Sequence, residues 1–148
     1  MTIQLFTIGF AGKTAERFIT LLREAGVARV VDTRLYPDTQ LSGFARKKDL
    51  GYFLQELAGI GYIHREELAP SKALLDANKK KEIGWDAYAA GYNALLHDRQ
   101  IAARLTPAKM DKACFLCAEP TAQFCHRRLL VEYLKNEWTQ HNVKIMHL

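Results

Sequence analysis

The chain has 148 residues, 49% of them hydrophobic and 25% charged, with nine glycines and four prolines. That is the size and makeup of one globular domain, able to bury about two thirds of its unfolded surface, and it excludes disordered and fibrous classes. The formal net charge of +5 favours an anionic partner, although the clusters Arg46-Lys47-Lys48, Lys79-Lys80-Lys81 and Arg127-Arg128 are short enough to be ordinary solvated faces.

Gln4 to Gly9 is expected to form a buried strand. Thr14 then caps a helix whose apolar residues Phe18, Ile19, Leu22 and Ala25 share one face and which Gly26 ends. Ala28 to Asp32 is a second strand. After an irregular stretch with Pro37 and Gly43, a helix from about Lys48 turns Leu50, Phe53, Leu54 and Leu57 to the core and stops at Gly59 and Gly61. Tyr62-Ile63-His64 is a brief third strand, and the polar, lysine-rich stretch from Leu68 to Ile83 reads as a surface excursion or a lid. From Gly84, the spacing of Trp85, Tyr88, Tyr92, Leu95 and Leu96 is helical, and 101–112 holds another helix, interrupted or started at Pro107. Ala113 to Ala118 is a continuous apolar run, the mark of a strand covered on both faces. A last helix from about Cys125 buries Leu129, Leu130, Tyr133 and Leu134, and Val143 to His147 is a final strand.

Strands alternating with helices predict an α/β fold: one domain over 1–148, a mostly parallel sheet of about five strands, helices on both faces, a Rossmann-like three-layer arrangement. No apolar run approaches the roughly 20 residues of a membrane span, and the amino terminus lacks a basic segment ahead of an apolar one. Three cysteines, Cys114, Cys117 and Cys125, suit reduced thiols better than a disulfide framework. A cytoplasmic protein without membrane partners is expected; oligomeric state and cofactor are left unassigned.

In open parallel sheets ligands bind beyond the carboxyl ends of the strands, which directs attention to Gly9, Asp32 and Arg34, His64, Cys117 with Glu119, and His147. Gly9-Phe10-Ala11-Gly12-Lys13-Thr14 resembles a phosphate-binding loop, but two residues separate the glycines where four are needed to wrap a phosphate. The helix start there can still attract an anion weakly. Asp32 and Arg34 form either a structural ion pair or a working pair, the guanidinium gripping a phosphate or carboxylate and the acid serving as base.

Cys117 and Glu119 leave the same face if their strand continues so far. Cys125-His126-Arg127-Arg128 puts cations at the positive end of a helix, unfavourable by about 0.3–1 kcal/mol each unless an anion compensates, and the same field would favour a Cys125 thiolate. Three readings of this segment stay open. A metal site lacks the paired short spacings of zinc modules, and no metal ligand is assigned. Cysteine nucleophilic catalysis with His126 or His64 as base is chemically sensible, yet Gln123 stands where thiol phosphatases have their arginine. In the third, an anion pocket uses Glu119, Asp32 and the arginines, with the cysteines as small packers.

Thr7-Ile8-Gly9 and Gly12-Lys13, Val31-Asp32-x-Arg34-x-x-Pro37, Gly43-Phe44, Gly61-Tyr62-x-His64, Trp85 and Tyr88, Cys117-x-Glu119, Cys125-His126-Arg127 and the closing His147-Leu148 together resemble the DUF488 domain family. The resemblance covers most of the chain but implies no settled reaction. Its polar signature falls on Asp32, Arg34, His64, Glu119, Cys125, His126 and Arg127. Thr39-Gln40 stand where many relatives carry Ser-Arg, which implies weaker or different anion binding.

The resulting expectation is a small enzyme for a nucleotide, nucleic-acid component or other phosphorylated ligand. Asp32, Glu119, His64 and His126 are the catalytic candidates; Gly9, Arg34, Arg127, Cys125 and Cys117 are the binding candidates. The alternatives are a non-enzymatic nucleotide or nucleic-acid binding module, which steep salt dependence would reveal, and a thiol-redox or metal-binding protein.

Overall fold

The computed structural model describes residues 1–38 and 43–148. The Thr39-Gln40 substitution therefore lies outside the described residues. Five parallel strands, β1 (Thr2–Gly9), β2 (Arg29–Asp32), β3 (Gly61–His64), β4 (Ala113–Cys117) and β5 (Asn142–His147), form one sheet in the order β3-β2-β4-β1-β5. Between them run α1 (Ala15–Ala25), α2 (Lys47–Ala58), α3 (Lys72–Lys79), α4 (Trp85–Asp98), α5 (Ile101–Arg104), α6 (Pro107–Met110) and α7 (His126–Glu137), with 3-10 turns at Gly43–Ala45 and Glu66–Leu68.

Strand alternation divides the core into two. Phe6, Ile8, Val30, Cys114 and Leu116 face Phe18, Ile19 and Leu22 of α1 and Leu50 and Leu54 of α2. Ile3, Leu5, Val31, Ala113 and Phe115 face Tyr88, Tyr92 and Leu96 of α4 and Leu129, Leu130 and Leu134 of α7. The expected three-layer α/β architecture is what the chain adopts. Local chemistry sets the ends of α1: the Thr14 hydroxyl accepts the Arg17 N–H at 3.1 Å, and Gly26 leaves the helix at φ 76°.

Three local expectations change. The segment 68–83 contains a helix, α3, whose start Ser71 caps by accepting the Leu74 N–H at 3.2 Å. The stretch 101–112 is two single turns, because Leu105 takes an extended conformation before Thr106 and Pro107 restart the helix. Leu57 is 57% exposed, since α2 buries only Leu50 and Leu54 and its last turn carries Leu57 off the core face. Among the described residues no helix is long and apolar enough to cross a membrane.

The strand order creates a crevice. The chain leaves β1 and β2 for α1 and α2 on one face, and leaves β4 for α7 on the other, so β4 parts from both neighbours at its carboxyl end. Such a switch point is where parallel sheets open for a ligand.

Gly9 stands at that opening, and a Cβ there would lie 1.5 Å from the Glu119 carbonyl oxygen and 2.5 Å from Arg127 Nη1. Gly9→Ala is therefore expected to lower unfolding free energy by about 3 kcal/mol, read as a reduced denaturant midpoint; a midpoint equal to wild type would refute this close approach.

Candidate functional site

The crevice is organised around Arg127 in the first turn of α7. Its side chain turns back to the sheet and is 1% exposed. Nε–H donates to Thr7 Oγ1 at 3.2 Å, and Nη1–H donates to the Glu119 carbonyl at 2.6 Å and to Cys117 Sγ at 3.0 Å. Thr7 Oγ1, which accepts from Arg127, also lies 2.6 Å from His147 Nδ1, within hydrogen-bond distance. The His147 pKa is lowered by burial and by Arg127.

The two crevice thiols are unequal. Burial would push the Cys117 thiol up, but the Cys125 S–H, the Arg127 guanidinium and the Glu119 backbone N–H outweigh it and hold the pKa below the ordinary thiol value. Cys125 moves the opposite way, because its proton is held by Cys117 and its sulfur is buried. This reverses the expectation that the helix terminus makes Cys125 the thiolate: Arg127 folds onto Cys117 instead. Cys114 points into the opposite core layer and is raised by burial.

His126 is buried beneath the crevice floor. Its Nε2 lies 3.2 Å from the Thr33 carbonyl, which can only accept, and 2.9 Å from Thr33 Oγ1, whose proton goes to the Leu116 carbonyl at 2.7 Å. Nε2 therefore carries the hydrogen, and the Nδ1 lone pair faces Cys125 Sγ at 3.9 Å. Burial, opposed by the Thr33 contact and reinforced by Arg127, lowers the His126 pKa to about 4.

A second ion pair closes the β2 side. Asp32, fully buried, receives Arg34 Nε–H at 2.9 Å and Nη2–H at 2.7 Å, the Arg34 backbone N–H at 3.1 Å, and the Tyr62 hydroxyl at 2.5 Å. Burial and then Asp32 raise the Tyr62 pKa, keeping that phenol protonated. The Arg34 guanidinium lies 5.2 Å from the Phe10 ring centroid. Its Nη1 is buried and has no hydrogen-bond partner among the described residues.

Above these groups lies a cavity of about 270 Å³. Arg34, Cys117, Glu119, Cys125 and His126 all line it, so five of the nine sequence candidates share one space. Asp32 and Arg127 sit behind the wall, each held by internal partners. His64 is outside the lining, its Nε2 2.7 Å from the Arg34 carbonyl. Gly9 contributes by lacking a side chain, and its carbonyl accepts from Lys13 Nζ at 2.7 Å. β4 ends at Cys117, so the shared strand face expected for Cys117 and Glu119 does not extend to Glu119; the carboxylate instead stands exposed at the rim. Among the described residues no group of three or more His, Cys, Asp or Glu side chains could hold a metal ion.

A family model described as "Domain of unknown function DUF488" matches residues 14–134. The chain belongs to the DUF488 family. No curated protein and no solved structure gives a significant match. The matched range runs from α1 into α7 and contains every cavity-lining residue of this DUF488 chain, while β1 and β5, with Thr7, Gly9 and His147, lie outside it.

Several contributors were given no role in the site from sequence. Thr7 and Thr33 carry hydrogen bonds, but a threonine in or beside a strand is also an ordinary β-former. Phe124, 60% exposed, lines the cavity and meets the Trp85 ring edge-on at 5.5 Å. Lys79 and Asn78 reach the cavity from α3.

The His126 environment sets a pH dependence. Between about 6.5 and 4, the unfolded chain binds a proton that the folded DUF488 domain refuses, so stability falls as pH is lowered through that window, by about 3 kcal/mol in total. Below about 4 both states are protonated and this loss levels off. In denaturant melts across pH, His126→Asn is expected to show a correspondingly shallower fall; parallel profiles would show that His126 is not held neutral.

Proposed function

We propose that this DUF488 chain is a small cytoplasmic enzyme that binds a nucleotide, nucleic-acid component or other phosphorylated ligand in the crevice cavity and attacks it with the Cys117 thiolate. The observation that carries the reading is the 3.0 Å Arg127 Nη1–H···Sγ bond to a cysteine on the cavity wall. A cation donating to sulfur favours the thiolate, which is the nucleophilic form. A cysteine used only for packing has no need of a buried guanidinium.

The anion-binding part of the reading rests on Arg34. Its Nη1–H is an unused, charged donor at a buried position, and it belongs to a side chain that Asp32 holds in place. Lys79 supplies a second cation on the opposite wall. Phe124 and Tyr88 offer flat apolar surfaces for a ring, and the volume lies near the lower end of small-molecule sites, of order 300 Å³. In this assignment Cys117 is the nucleophile, Arg34 holds the anionic group and Glu119 exchanges protons with solvent at the rim. Asp32 positions Arg34, His64 supports it through its carbonyl, and Arg127 positions and ionises Cys117.

Two measurements test this. Alkylation of Cys117 by iodoacetamide, followed against pH, is expected to show a midpoint below the ordinary thiol value of about 8.5; a midpoint at or above that value would remove the nucleophile. Thermal melts with inorganic phosphate and mononucleotides are expected to show stabilisation that Arg34→Lys loses and Cys117→Ser keeps. If no phosphorylated compound raises the wild-type melting temperature, the ligand class is wrong. A module that only binds nucleic acid would instead bind oligonucleotides with steep salt dependence, and Cys117→Ser would leave that binding intact.

A further inference from the structure

The cavity holds two thiols where nucleophilic attack needs one. Cys125 is the N-cap residue of α7 and lines the same space as Cys117, where each thiol shifts the other's ionisation. Its own sulfur lies 3.9 Å from the bare Nδ1 of His126, a nitrogen left as an acceptor because Nε2–H is committed to Thr33. One sulfur thus sits beside a cation, and the other sits beside a proton acceptor in the same small space. Cys114, on the other face of β4, has none of these partners and provides an internal control.

From this geometry we propose that Cys117 and Cys125 form an oxidisable pair, in which a hydroperoxide entering the cavity oxidises Cys117 and Cys125 resolves the product as an intrachain disulfide. The proposal rests on the Cys117 thiolate assigned above and adds a second reactive residue and a second class of reactant to the site. In the first step the Cys117 sulfur attacks the terminal peroxide oxygen. The S–O bond forms as the O–O bond breaks, the sulfur is oxidised to a sulfenic acid, and the departing alkoxide or hydroxide takes a proton from solvent. In the second step the Cys125 sulfur attacks the Cys117 sulfur. The S–S bond forms, the S–O bond breaks, the thiol proton passes by way of His126 Nδ1 to the departing hydroxide, and water leaves. Two thiols and one hydroperoxide give one disulfide, one alcohol or water, and one water. The product has no nucleophile facing the cavity, so oxidation switches off the chemistry assigned to Cys117.

The full chain is treated with hydrogen peroxide. Thiols still free are blocked, the protein is reduced, and newly released thiols are labelled with a second alkylating group. All three cysteines fall in the tryptic segment 113–127, so fragmentation of that peptide locates each label. Expected in the wild type are the second label on Cys117 and Cys125, the first on Cys114, and a monomer lighter by two hydrogens before reduction. Cys125→Ser is expected to abolish the disulfide and to accumulate a Cys117 sulfenic acid that a cyclic 1,3-dione traps; Cys125→Ala, with its melt compared to wild type, serves if the serine variant does not fold. Cys117→Ser is expected to leave Cys125 unoxidised. A trapped sulfenic acid in the wild type without a Cys117–Cys125 bridge, or a bridge between two chains, overturns the pair while leaving the thiolate standing. Absence of both peroxide oxidation and low-pH alkylation at Cys117 overturns the thiolate itself, and the pair with it.

Discussion

The buried guanidinium of Arg127 is the constraint on which the crevice depends. A cation taken out of water is costly unless its hydrogen bonds and charge are met, and here the partners come from two separate pieces of chain: Thr7 on β1, and Cys117 at the end of β4 with the Glu119 carbonyl just beyond it. Each partner carries a further consequence. Thr7 passes the constraint to His147 on β5. Glu119 comes so close to β1 that residue 9 can have no side chain. Cys117 gains the charge complement that favours its thiolate. One side chain therefore ties together the carboxyl ends of three strands and lowers the pKa of the cysteine on the cavity wall.

Asp32 and Arg34 repeat this logic across the crevice, and His126 lies between the two pairs. With Arg127 near and water excluded, a protonated imidazole is disfavoured there, so the ring stays neutral and its hydrogen-bonding role is set by Thr33. A neutral histidine adds no third cation beside the buried Arg34 and Arg127. What remains uncommitted is small: one nitrogen of Arg34 and the rim groups. A ligand meets a site whose charges are largely matched already, and such preorganisation limits the cost of ordering polar groups when it binds.

The fold was legible because its signals are local and repeated. The apolar run at Ala113–Cys117, the helical spacing from Trp85 to Leu96, and the Thr14 and Gly26 ends each specify an element without reference to the rest. The strand-end rule pointed to Arg34, Cys117 and Glu119, and the motif at the start of α7 added Cys125 and His126; all five line one cavity, whereas Gly9, His64 and His147, which the rule also named, do not. The assignment of roles among them was not legible. Whether Arg127 points to solvent or back to the sheet depends on tertiary reach, and that choice moves the favoured thiolate from Cys125 to Cys117. The Arg127 cation at the helix start finds its hydrogen-bond acceptors within the chain. The roles of Thr33 and Thr7 were hidden for a related reason, since a hydroxyl in or beside a strand declares nothing until its partners are in view.

The basic balance of the sequence bears on the cavity through one wall only. Arg46, Lys47 and Lys48 are exposed at the start of α2, away from the lining, while Lys79 ends α3, with Lys80 and Lys81 just after it, and Lys79 reaches the cavity. α3 buries none of its residues fully and packs through Leu74 against Gly91, where a Cβ would come within 3.0 Å of the leucine. α7, by contrast, buries seven. Separating α3 from the body therefore exposes much less apolar surface than separating α7, and local openings follow such differences in burial. The side of the cavity that is easiest to open is also the side that carries the lysines, so a field favouring anions and the least costly path to the Cys117 sulfur coincide on the same short helix.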